Sequence, residues 1–105
     1  MGLFDFLRSK NKTPQRPFVE SMYGEGNGSS LESAIVVRAA NSSEGIAAEY
    51  AWIENKYGQH EVDWIRRDKN LGQDGDRIIE SFVIETKAGE SHEVWFDITG
   101  FFGRW

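Results

Sequence analysis

The clearest alternation of apolar and polar positions lies near the C-terminus. There SHEVWFDIT (91–99) sets Val94, Phe96 and Ile98 on one face and Glu93, Trp95, Asp97 and Thr99 on the other. RIIESFVIET (77–86) precedes it across KAGE, so the pattern predicts a β-hairpin. A two-residue loop, Ala88-Gly89, would pair Val83 with Val94 and put Ser81 and Glu85 on the apolar face. A three-residue loop, Lys87 to Gly89 with Gly89 left-handed, pairs Phe82 with Val94 and Ile78 with Ile98. A one-residue slip exchanges every side chain between faces, so the register that gathers more apolar area, the second, is expected. The opposite face then carries Ile79, Val83 and Trp95 among charges, with the tail FFGRW expected to cover it.

Upstream, AIVVRAA (34–40) is a short apolar run with β-branched residues, the mark of a strand that is central or covered on both faces. With Asn41 as N-cap, Glu44 falls at the third helical position of a capping box. The helix predicted from there ends near Tyr57, before Gly58. Ile46, Tyr50, Ile53 and Tyr57 share one face, the expected core face. Trp52 points about 130° away from it. It has two readings, packing beneath the long loop before residue 34 or serving as an exposed aromatic anchor for a partner. QHEVDWIRRD (59–68) alternates as a half-exposed edge strand, while LGQDGD (71–76) reads as turn and loop. The first strand is expected beside the C-terminal hairpin, leaving residues 60–67 at an edge.

Residues 13–33 hold both prolines and Gly24, Gly26 and Gly28, so a linker or irregular loop is predicted. YGEGNGSS precedes a strand and lacks GK[ST], which excludes an ordinary phosphate loop. Residues 1–12, MGLFDFLRSKNK, begin apolar and end basic. On a helical wheel Leu3, Phe4, Phe6 and Leu7 span about 160°, opposite Asp5, Arg8 and Ser9. Such a segment dips weakly into an anionic membrane surface, folds back on the domain as a short helix, or stays a frayed tail. Gly2 acylation is not supported, because position 6 is Phe. The chain therefore divides into an amphipathic segment (1–12), a linker or loop (13–33) and a single α+β domain (34–105). In that domain one main helix packs on a mostly antiparallel sheet of three to five strands.

Composition narrows the function classes. There is no cysteine, which excludes disulfide scaffolds, Cys-ligated metal sites and thiol nucleophiles. The net charge of −5 is uneven: from residue 20 onward sixteen acidic residues face eight basic ones. An acidic body is a poor phosphate-tracking surface, so no nucleic-acid partner is expected, and a basic or neutral protein partner fits better. No apolar run approaches the length of a membrane span, and no secretory signal is recognisable, so a cytoplasmic location is expected, with the inner membrane face as the alternative.

Candidate chemistry is sparse. His60 and His92 begin no metal-ligand spacing, and the His-Glu pairs 60–61 and 92–93 would point to opposite faces of a strand. Asp68, Asn70, Asp74 and Asp76 do not fit a calcium loop, and no serine lies in a nucleophile-elbow context. No cofactor and no metal are expected. Glu80 stands out, because the favoured register puts it on the apolar face opposite Phe96. Such a carboxyl would have a raised pKa and be a potential acid or base, or would pair with Arg38 or Arg77 at a sheet rim.

The runs AIVVRAANSSEGIAAEYAWIENKYG and VWFDITGFFGR resemble segments of small bacterial proteins of unknown function, over roughly residues 22–105. That resemblance implies a bacterial source and a strand, helix and hairpin forming one unit, and it implies no activity or site residue. The opening MGLFDFL is similar to that of many bacterial cytoplasmic and membrane-associated proteins. The expected function is a non-catalytic protein-interaction module, an immunity or inhibitor-like protein being one form, with Trp52, Trp95 and Glu80 as candidate binding residues. The alternatives are a peripheral membrane adaptor, touching the bilayer through Leu3, Phe4, Phe6 and Leu7, and a small enzyme using Glu80 or a histidine. A monomer or a weak dimer is expected, since Arg66, Arg67 and Asp68 discourage edge pairing. The adaptor reading predicts co-sedimentation with anionic liposomes that is lost on deleting residues 1–12.

Overall fold

In a computed structural model that describes residues 16–105, the chain forms β1 (Ile35–Val36), α1 (Ser42–Tyr57), β2 (Trp64–Asp74), β3 (Arg77–Thr86) and β4 (Ser91–Asp97). The four strands make one sheet in the order β1-β4-β3-β2, with β1 parallel to β4 and the other pairs antiparallel. Helix α1 lies across one face, where Tyr50 meets Phe82 and Trp52 meets Phe96 edge-on, at 5.4 and 5.9 Å between centroids. This is the α+β architecture expected from the sequence, with the first strand beside the hairpin and β2 at the edge. Residues 1–15 lie outside the described residues, and with them the membrane-contact candidates Leu3, Phe4, Phe6 and Leu7.

The hairpin adopts the register that burial selects. Phe82 pairs with Val94 and Glu80 with Phe96, and Ile98 N–H donates to the Ile78 carbonyl at 2.9 Å. Gly89, at φ +87°, turns the three-residue loop, a backbone region that costs glycine nothing. Phe82, Ile84, Val94, Phe96 and Ile98 are thereby buried on the face under α1. Each large side chain so buried stabilises the domain by roughly 1.5–3 kcal/mol.

Asn41 caps the helix as predicted, its Oδ1 accepting from Glu44 N–H at 2.9 Å, while Glu44 Oε1 reaches back one residue past the cap, to the Ala40 amide at 3.2 Å. The expected face of α1 meets the core through Ile53, Tyr50 and Tyr57, but Ile46 is 42% exposed and the buried surface is wider, taking in Gly45, Ala48, Glu49 and Ala51. Phe101 covers Gly45, Glu80 lies within reach of Glu49, and residues 16–23 add a further layer beside Ala48, on a side of α1 that periodicity alone leaves to solvent. Tyr23 Oη donates to the Ala48 carbonyl at 2.7 Å, and Arg16 pairs with Glu54 at 3.2 Å. Small residues allow that close approach.

Two further expectations change. The strand predicted over 59–68 begins only at Trp64, because residues 59–63 form a turn in which Asp63 Oδ2 accepts from Gln59 N–H at 2.7 Å. It then runs on through the segment expected as loop, to a two-residue turn at Gly75-Asp76, with a register shift between Arg66 and Asp68. The backbone ladder to β3 forms whatever the side chains, and this ribbon is exposed beyond Trp64, so it carries no burial pattern to read.

The tail does not cover Trp95. Phe101 turns under the N-terminal end of α1, and Ser42 N–H donates to the Arg104 carbonyl at 2.6 Å. The face that carries Ile79 and Trp95 is instead approached by the irregular segment before β1: Trp95 N–H donates to the Gly28 carbonyl at 2.9 Å, and Leu31 lines the same cavity as Trp95 and Ile79. Residues 24–25 also bond to the edge of β1, through Gly24 N–H to Val36 O and Val36 N–H to Glu25 O.

Gly45 is where the tail and helix meet, since a Cβ there would run into the Phe101 ring. Helix propensity alone would make Gly45→Ala stabilising by about 1 kcal/mol. Overpacking against Phe101 should win, with a net loss of about 1–3 kcal/mol in urea unfolding.

Candidate functional site

The alternation Ile78, Glu80, Phe82, Ile84 leaves Glu80 no choice of face. Once Phe82 is buried beneath α1, the Glu80 carboxyl is carried in with it, 8% exposed. Across from it, on α1, Glu49 is 0% exposed. Among the described residues no N–H or O–H donates a hydrogen bond to either oxygen of Glu49. What lies within its reach is the Glu80 carboxyl. Two ionised carboxylates cannot share that contact, so one proton is held between them. Lys69 of β2 pairs with Glu80 Oε2 at 3.4 Å and lies 5.5 Å from the Phe82 ring centroid. Because the lysine faces Glu80, the proton belongs to Glu49. Burial first, and the Glu80 contact second, push the Glu49 carboxyl up to about 10, with Lys69 opposing.

Glu80 and Lys69 open into a cleft of about 180 Å³ between the N-terminal half of α1, the middle of β2 and the C-terminal turn. Buried Ile98 and Phe101 form its floor. Its rim is apolar and exposed: Ile46, Leu71 at 57%, Phe102 at 49% and Trp105 at 96%. Chemically the arrangement can hold a proton away from water, accept a cation, and offer an aromatic wall beside both.

The residues singled out from sequence are dispersed. Glu80 is in this cleft, but its partner is Lys69 and neither Arg38 nor Arg77, since Arg77 is engaged by Asp97 at 3.0 Å and Asp74 at 3.9 Å. Burial alone would raise the Asp97 carboxyl, yet hydrogen bonds from Thr99 and Arg77 outweigh it and hold it below the usual range. Trp52 is half-buried on Phe96, with Lys56 Nζ 5.4 Å from its ring centroid and the loop residues Asn27 to Ser29 beside it. Trp95 lies on the opposite face of the sheet, next to Ile79, Leu31 and Glu93.

His60 is sandwiched between Tyr50 and Trp64, at 5.1 and 4.5 Å, and burial is the first cause of its lowered pKa. His92 sits 4.8 Å from the Tyr57 ring and 3.4 Å from Glu90. The two histidines share no site, and among the described residues no group of three or more His, Asp or Glu is arranged to hold a metal ion.

Glu49, Lys69, Leu71 and Trp105 were not found from sequence. The one available signal for Glu49 is its position four residues after Gly45 and beside Ala48, within the run of small residues that marks the closely packed side of α1. Comparison with known proteins finds no family model that matches the chain, and no curated protein or solved structure that is similar to it.

Holding Glu49 protonated has a definite pH signature. Its carboxyl is raised in the folded chain, so its contribution to stability is greatest below the ordinary carboxylate pKa and declines as pH rises toward about 10. Glu49→Gln keeps the shape and removes the titration. The variant should gain on the native chain by up to about 1.4 kcal/mol per pH unit across that interval. Urea unfolding at several pH values measures this, and a difference independent of pH would refute it.

Proposed function

We propose that this chain is a non-catalytic protein-interaction module, which engages a basic partner protein through the cleft bounded by α1, β2 and the C-terminal turn. The observation that carries this reading is the gathering of exposed Ile46, Leu71, Phe102 and Trp105, from three separate parts of the chain, around one concavity. Single exposed apolar residues are ordinary on a soluble surface, whereas a contiguous apolar rim marks an interaction site. Tryptophan and phenylalanine at such a rim are the residue types that dominate binding energy.

Charge supports the choice of partner. The body from residue 20 onward carries sixteen acidic and eight basic residues, which steers a basic protein in and repels an acidic one. An immunity or inhibitor-like role, in which this acidic surface masks a basic protein, is one form of the reading. A bacterial, cytoplasmic setting belongs to the same proposal. Among the described residues no helix is long and apolar enough to cross a membrane.

Affinity capture from a native lysate tests it, comparing the native chain with the double variant Leu71→Ser, Phe102→Ser. Both positions are exposed, so the variant should unfold within about 1 kcal/mol of the native chain. One stoichiometric protein held by the native chain and lost from the variant is expected. Equal capture by both would move the interface elsewhere, and no stoichiometric capture by either would overturn the reading.

A further inference from the structure

The carboxyl pair beneath the cleft is built for one more cation than it holds. Two carboxyls, Glu49 and Glu80, are faced by one lysine, Lys69, and among the described residues those are the charged groups that bear on Glu49 from the elements packed against it. The shortfall is met by a proton on Glu49, which is fully buried and receives no hydrogen bond from an N–H of the described residues. Glu80 is the member of the pair that lines the cleft and can meet a second cation there.

We propose that the cleft receives an arginine side chain of the basic partner, its guanidinium on Glu80 and its plane against Trp105 and Phe102. This deepens the interaction reading above and rests on it. The guanidinium enters as a cation and stays one, so the Glu80 carboxylate is then shared by Lys69 and the arginine.

Size, polarity and shape each narrow the occupant. Pockets for drug-sized ligands run to roughly 300–1,000 Å³, and this cleft of about 180 Å³ suits a single long side chain. A carboxylate or phosphate head could reach Lys69 only beside the Glu80 carboxylate that already pairs with it. A purely apolar side chain would cover the Glu80 carboxyl without offering it a hydrogen bond. Between the two permanent cations, arginine is favoured: its planar, weakly hydrated guanidinium pairs with carboxylates through two parallel hydrogen bonds and stacks on aromatic faces. Trp105 and Phe102 supply such faces at the rim.

The test uses the full chain and the probe Nα-benzoyl-arginine amide, with Nα-benzoyl-citrulline amide as its uncharged counterpart. NMR titration follows the Trp105 indole N–H and the side-chain carboxyl carbons of Glu49 and Glu80. The arginine probe should saturate these signals with a Kd of about 1 mM or tighter. The citrulline probe should bind on the order of tenfold more weakly, or less.

Glu80→Gln should lose the binding, while Glu49→Gln, which leaves the cleft lining intact, should keep it. Equal affinity for the two probes, undiminished binding by Glu80→Gln, or no saturation at about 10 mM arginine probe would each overturn the proposal. The two readings fail separately. If lysate capture still responds to Leu71→Ser, Phe102→Ser while the arginine probe does not bind, the module stands and the arginine is wrong.

Discussion

The pairing of Phe82 with Val94 and Glu80 with Phe96 is the constraint on which the domain depends. Side chains alternate along a strand, so one register decides at once which face α1 must cover and which polar groups go beneath it. Choosing the register that buries Phe82, Ile84, Val94 and Phe96 necessarily brings Glu80 inward. The hairpin thus builds the apolar face and a buried carboxyl in a single step. α1 completes both, through Tyr50 and Trp52 on the phenylalanines and through Glu49 on Glu80.

The covering of α1 on two sides follows from chain length. A domain this small has one sheet and one long helix with which to enclose its core, and the irregular segment ahead of β1 serves as a third layer. Arg16 on Glu54, Tyr23 on the Ala48 carbonyl and Trp95 on the Gly28 carbonyl tie that segment to both faces of the molecule. Burial raises the Tyr23 hydroxyl to about 12, so it stays a neutral donor across the physiological range. The C-terminal turn is held in the same way, by Phe101 over Gly45, and it is this placement that brings Phe102 and Trp105 to the rim of the cleft.

Against this economy, the Glu49–Glu80 pair is a concession. Replacing buried charged groups by packed apolar ones is commonly neutral or stabilising, and a domain's net stability is only about 5–15 kcal/mol. A carboxyl held protonated near neutral pH subtracts from that margin. Groups with displaced pKa values in clefts are found where binding or proton transfer requires them. The structural alternative, that the pair merely orients α1 on the sheet, leaves the exposed aromatic rim beside it without a role.

How much could be read from the sequence follows from the range of each interaction. The Asn41–Glu44 cap, the stop at Gly58, the three-residue hairpin loop and the inward face of Glu80 rest on contacts within a few residues or on the period of a strand, and all were legible. β2 was misjudged in extent because it is exposed on both faces beyond Trp64, and its ladder to β3 uses backbone groups that every residue carries. The core face of α1 is legible at Tyr50, Ile53 and Tyr57, but its additional buried side is not, because one of the covers there, residues 16–23, arrives from a distant part of the chain. Local sequence therefore determined the elements, their caps and the register that buries Glu80. Only the tertiary structure decided that Glu49 and Lys69 would meet it and that Leu71, Phe102 and Trp105 would surround the opening. Those meetings depend on how the helix crosses the sheet and where the tail turns back, and hydrophobic burial, being non-directional, writes no local pattern for either.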